Sequence, residues 1–207
     1  MKIKREFEVI FHNQGHRSWI ECTLCWNCPR DDHKGCCFYN PTFYPLDFIY
    51  LQENNPQLID FIFKLPRVTV LEKYVGIDRI ADTDGDFRCQ LHSLHGGCIL
   101  APDLRESVCR QYICPGCRIW EEEGTSYWRE FFDRLDACEK EVNQEISAIL
   151  EDKGLSFKTG PQDFIREAHR LYYQNWLKDP FAWCRDYLPQ QRYQLTREMV
   201  WGKDWKI

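Results

Sequence analysis

The sequence predicts an α+β fold: a small cysteine-rich metal-binding domain over residues 1–120, followed by a helical C-terminal segment over 121–207 packed on it. Three observations carry this expectation. Ten of the twelve cysteines lie between Cys22 and Cys117. The N-terminal stretch 3–11 alternates like a strand, and the chain beyond Ser126 repeats apolar residues at three- and four-residue steps.

The elements follow in order. Residues 3–11 read as a strand, and 22–45, rich in Cys, Pro and Asn, as irregular loop wrapped on ligands. Residues 46–53 suit a short helix. Asn55-Pro56 is a cap followed by Pro at the first helical position, which predicts a helix over 56–64 ended by Pro66. Residues 67–80 lean towards strand, and Asp82-Thr-Asp-Gly-Asp86 is a turn, without the twelve-residue ligand pattern of a calcium loop. Asp103-Leu-Arg-Glu106 resembles a capping box before a short helix over 104–112 carrying Cys109. The longest helix starts with Ser126 as its cap. Its stripe is Trp128, Phe131, Phe132, Leu135, Cys138, Val142, Ile146 and Ile149, with Asp133, Asp136, Glu139 and Glu145 on the polar face. Gly154 fits its end. A second helix is expected over 161–178 with Ile165, Ala168, Tyr172 and Trp176 on one stripe. A third, short one runs from Pro180 to before Pro189.

Composition narrows the class. Hydrophobic residues are 43% and charged residues 29%, enough for a packed core. The net charge of −5 argues against a nucleic-acid binder, because phosphate neutralisation supplies most non-specific affinity. No apolar run reaches the ~20 residues of a membrane-spanning helix. The charged start Met1-Lys2-Ile3-Lys4-Arg5-Glu6 lacks an apolar signal core, so a cytoplasmic location is expected. Aromatics reach 15%, and of the eight tryptophans Trp176, Trp183, Trp201 and Trp205 are late. They suit packing first and a protein partner second.

A reducing cytoplasm disfavours disulfides, so the cysteines read as metal ligands. They are Cys22-x-x-Cys25-x-x-Cys28, Cys36-Cys37, Cys89, Cys98, Cys109 and Cys114-x-x-Cys117. Cys-x-x-Cys places two thiolates on one metal, and separate pieces must converge to close a site. Two knuckles, one from the first run plus Cys114 and Cys117, would make a tetrahedral zinc site. The first run also opens like the bacterial ferredoxin run, although Pro29 follows the third cysteine rather than a fourth. Adjacent Cys36 and Cys37 do not easily share one ion. His33, His92 and His95 lie near cysteines and read as supporting rather than ligating residues. Cys138 and Cys184 read as core. Arg110 either pairs with an acid or sets a positive charge beside a cofactor's thiolates.

Cys25-x-x-Cys28, Cys36-Cys37, Cys89-Gln-Leu, Cys98-Ile-Leu and Cys109-Arg110-Gln-Tyr112 together resemble the YkgJ-like cysteine-cluster family, described as zinc- or iron-chelating. The resemblance covers residues 22–113. Cys114-Pro-Gly-Cys117 lies outside it and points to a supplemented or second site. The likeness implies metal chelation. Flagellin lysine methylases share a similar cysteine pattern, which implies a cluster used with S-adenosylmethionine.

The resulting expectation is an iron–sulfur protein with one or two clusters of the 4Fe-4S type. It would relay electrons to, or assist assembly of, a redox enzyme or complex that is its protein partner. The alternatives are a structural zinc module for protein interaction and a methyltransferase-like enzyme using S-adenosylmethionine. No Gly-x-Gly loop after a strand supports the last of these.

Overall fold

In the computed structural model, residues 2–25, 39–81, 87–93, 97–175 and 179–200 are described. β1 (Lys2–His12) is the middle strand of an antiparallel sheet, between β2 (Trp19–Cys22) and β8 (Gln190–Val200). The β1–β8 ladder runs from Lys2 opposite Val200 to His12 opposite Gln190. Alternation builds its inner face. Phe7, Val9 and Phe11 are buried, with Leu195 opposite Phe7, Ile20 opposite Phe11 and Cys22 opposite Val9. The C-terminal segment is therefore not helical throughout, which corrects the sequence expectation. Residues 190–200 carry few apolar side chains and form an edge strand, so their alternation is faint and their partner lies at the other end of the chain.

A second small sheet has the order β3 (Thr42–Phe43), β5 (Val75–Ile77), β4 (Val68–Val70), and β6 (Ile80–Ala81) pairs with β7 (Phe87–Arg88). The expected turn at Asp82–Asp86 between β6 and β7 lies outside the described residues. α1 (Pro45–Asn54) and α2 (Pro56–Phe63) fall where the sequence placed them. The Asn55 side chain accepts from Leu58 N at 3.3 Å, and Pro56 opens the helix.

α3 (Ser107–Gln111) is shorter than expected, because Pro102–Leu104 forms a separate 3-10 turn. The cap is Glu106, whose carboxylate accepts from Val108 N at 2.9 Å and Cys109 N at 2.8 Å. α4 (Thr125–Asp152) begins one residue before Ser126. Gly124 turns into it at φ 79°, and the Thr125 hydroxyl donates to Glu122 O at 2.7 Å. Gly154, at φ 71°, closes it with Leu155 N donating to Leu150 O at 2.9 Å. α5 (Pro161–Asn175) buries Phe164, Ile165, Ala168 and Leu171. After Pro180 the chain makes a 3-10 turn, Ala182–Asp186. Trp176, Trp201 and Trp205 lie outside the described residues.

One hydrophobic core takes in the inner sheet face, α1, α2, α4 and α5, together with Cys22, Cys89, Cys114, Cys117 and Cys184. Phe11 stacks on Trp128 at 5.1 Å between ring centroids, fixing the first sheet on α4. No helix among the described residues is long and apolar enough to cross a membrane.

Two buried arginines tie this core to the cysteine segment. Arg17 reaches Asp47 at 2.7 Å and donates to the carbonyls of Asp103 and Arg105. Arg110, 1% exposed, reaches Glu139 at 2.6 Å and donates to Ser18 O and Arg105 O. Glu139, expected on the polar face of α4, is 4% exposed. It stands four residues after Leu135 and three before Val142, on the buried stripe, and Arg110 supplies the counter-charge that makes its burial tolerable. Burial works against the Arg110 charge, but Glu139 and Asp47 outweigh it and leave its pKa raised.

His16 lies among Tyr50, Tyr172 and Phe181, and its pKa is lowered to about 3 by burial first, then by Arg17 and Arg110. The unfolded chain therefore takes up a proton near pH 6.5 that the folded protein refuses. Stability is full above that pH and falls as pH drops towards 3, by roughly 3 kcal/mol at pH 4. Urea titrations at pH 7 and pH 4 should show this loss, and His16→Phe should shrink the difference between the two pH values. An unchanged difference would remove His16 as the cause.

Candidate metal centre

The described cysteines form two groups. In the first, β2 ends at Cys22 on the buried face of the sheet, and the 3-10 turn Thr23–Cys25 carries Cys25. The second knuckle, Cys114 to Cys117, is a tight turn in which Cys117 N donates to Cys114 O at 3.0 Å. Arg118, left-handed at φ 48°, follows it. Cys22 Sγ lies 4.0 Å from Cys117 Sγ, and the Cys25 thiol also bonds Cys22. Cys114 is buried on the same turn. The bond to Cys117 is the largest influence on Cys22 and, with burial, pushes its pKa up. A separation of 4.0 Å is far from a disulfide's ~2.05 Å. It is close to the edge of a tetrahedron of ~2.3 Å metal–sulfur bonds, about 3.8 Å.

The second group is Cys89, Cys98 and Cys109, from three separate segments, lining a cavity of about 40 Å³ with Tyr39, Leu91 and Leu100. Backbone amides face two of the sulfurs: Leu91 N donates to Cys89 Sγ and Leu100 N to Cys98 Sγ, each at 3.4 Å. The Cys109 thiol bonds the Glu106 carboxylate, which also caps α3. Burial raises the Glu106 pKa, opposed by that bond. His92 is buried and bridges to Cys98 through the backbone.

Gly97 joins the two groups. At φ 56° it runs so close to Cys25 that a Cβ would stand 2.5 Å from the Cys25 carbonyl oxygen. Gly97→Ala should therefore push Cys98 away from Cys25, and should lower both stability and metal content measured by elemental analysis. Full metal content in that variant would show that the close approach is dispensable.

Cys28, Cys36, Cys37, His33 and His95 lie outside the described residues. Among the described residues, no three His, Cys, Asp or Glu side chains are gathered as a group able to hold a metal ion. None of the nine described cysteines is in a disulfide. Cys138 and Cys184 sit away from both groups. Cys138 donates to Pro180 O at 3.5 Å, and burial pushes the Cys184 thiol up to about 12. All three nitrogens of the Arg110 guanidinium are spent on Glu139, Ser18 and Arg105, which fits pairing with an acid. Glu106 was missed by the sequence reading. Glutamate is not a favoured N-cap residue.

No protein-family model, no curated protein and no solved structure matches this chain, so the functional reading rests on its own residues.

Proposed function

We propose that this protein binds an iron–sulfur cluster at Cys89, Cys98 and Cys109 and serves electron relay or the assembly of a larger redox enzyme. The observation that supports it is the cavity lined by three cysteines from three segments. At about 40 Å³ it exceeds the ~10–15 Å³ that one water requires, so it suits a group of several atoms better than a single ion. A fourth ligand would come from Cys28, Cys36 or Cys37, in keeping with the YkgJ-like pattern. A bound cluster would supply one-electron storage. The chain's own part is to keep water away with Tyr39, Leu91 and Leu100, and to direct the Leu91 and Leu100 amides at the sulfurs, a contact that tunes reduction potential.

A second reading, zinc, is favoured at the other group by one distance. The 4.0 Å between Cys22 and Cys117 suits two thiolates on one tetrahedral ion, with Cys25 and Cys114 nearest to complete it. The proposal is therefore a cluster at one group and a single ion at the other.

Anaerobic purification with iron, zinc and acid-labile sulfide analysis tests it. Iron and sulfide in equal amounts, with a brown colour lost on oxidation, is the expected result. A colourless protein holding zinc and no sulfide would sink the iron–sulfur reading and leave the structural zinc module.

A further inference from the structure

β8 leaves one edge of the first sheet open. Its 11 residues pair with β1 on one side, and among the described residues no strand or loop backbone pairs with the other. A strand about twice the usual length, lying open at an edge, is a template for another strand. Devices that blunt such an edge are missing among the described residues. The ladder with β1 runs one to one without a bulge, and Pro189 falls just outside it. Tyr193, Leu195 and Arg197 lie on the inner face, while Arg192, Gln194, Thr196 and Glu198 are exposed.

We propose that two copies of this chain pair edge to edge through β8, antiparallel, about a twofold axis at Leu195. Directly opposite residues in a sheet share a face, so only registers that set odd-numbered residues opposite odd ones are open to two copies. Of these, centring on Leu195 joins the strand along its whole length. It also sets Arg192 opposite Glu198 of the second copy, and symmetry repeats that pair on the other side of the axis. Centring on Gln194 or Thr196 instead sets each of these charges opposite a neutral residue. Within one chain Lys4 stands opposite Glu198, so the joined row runs Lys4, Glu198, then Arg192 of the second copy, with the signs alternating. Arg192 also reaches Glu8 at 3.3 Å, which draws it into a network of charges on the exposed face. The charge pattern of β8 is its own complement, and this selects a second copy over an unrelated strand. The inference stands independently of which metal the cysteines hold.

Light scattering on the full chain, from micromolar to millimolar concentration, should show the mass of one chain giving way to that of two. Amides of β8 should exchange more slowly with deuterium as the pair forms. Arg192→Glu and Glu198→Arg each set like charges opposite one another on both sides of the axis. Each alone should weaken dimerisation roughly tenfold or more. An equimolar mixture of the two variants should recover dimerisation, because the two altered strands complement each other. Both positions are exposed, so the substitutions spare the core. A chain that stays single at millimolar concentration, variants that dimerise as tightly as wild type, or a mixture no tighter than either variant alone would overturn the assignment.

Discussion

Arg110→Ala is expected to lower the unfolding free energy by about 3–5 kcal/mol, the usual cost of stranding one partner of a buried ion pair. The substitution removes more than a charge. Ser18 O and Arg105 O each lose a donor, and Glu139 keeps a buried carboxylate without its arginine. Burial already raises the Glu139 pKa against the opposing pull of Arg110, and without Arg110 it rises further. The sign of the pH effect follows. A carboxyl whose folded pKa exceeds its unfolded value is best tolerated below that unfolded value, and its penalty grows as pH rises through the folded pKa. Urea unfolding should therefore show a larger deficit for Arg110→Ala at pH 8 than at pH 5. The double substitution Arg110→Met with Glu139→Leu should recover most of the loss, because an apolar pair of similar size has no charge to desolvate. A loss below ~1 kcal/mol at pH 8 would show that the pair does not hold α3 to α4.

The second large effect concerns the separateness of the two cysteine groups. Cys117→Ala should remove zinc and leave iron and sulfide, while Cys109→Ala should do the reverse. Cys138→Ala, remote from both, should change neither. If the first group holds the proposed ion, its loss would be the larger blow to stability, since structural zinc contributes on the order of 10 kcal/mol in small domains. Here the ion would bridge the end of β2 to the turn before α4. Treating the protein with a strong zinc chelator should lower its melting temperature and expose the Cys22 thiol to alkylation, read by mass spectrometry. If Cys117→Ala strips iron, sulfide and zinc together, the cysteines belong to one centre and the division proposed here fails.

Much of the fold is legible where a local rule suffices. The alternation at Phe7, Val9 and Phe11 marks β1, Asn55-Pro56 marks the start of α2, and the stripe from Trp128 to Ile146 marks α4. What escapes local rules is what depends on a distant partner. β8 is a polar edge strand whose only strong cue is β1. Glu139 looks like surface by residue type, and only Arg110 explains why it sits inside. Capping at α3 falls to Glu106 because Asp103 is used elsewhere, its side chain by Tyr50 and its carbonyl by Arg17. The cysteines show the same limit. Their spacing reads as metal binding in sequence, yet Cys-x-x-Cys runs do not say that Cys22 meets Cys117 while Cys89, Cys98 and Cys109 line a different space.

The ladder between β1 and β8 also sets an order of events during synthesis. β1 is made well before β8, and one of its edges has no partner until Gln190–Val200 has emerged. Pairing at such sequence separation is slow, because loop closure precedes any gain in contacts. Cys22 is aligned by the other edge of that same strand, opposite Val9, and its neighbour Cys117 is made before β8. The thiols of the first group can therefore meet before the sheet that supports them is complete. A metal captured early would then act as a clamp on a half-built sheet, and starvation for that metal should show first as nascent chains lost to proteolysis rather than as inactive folded protein.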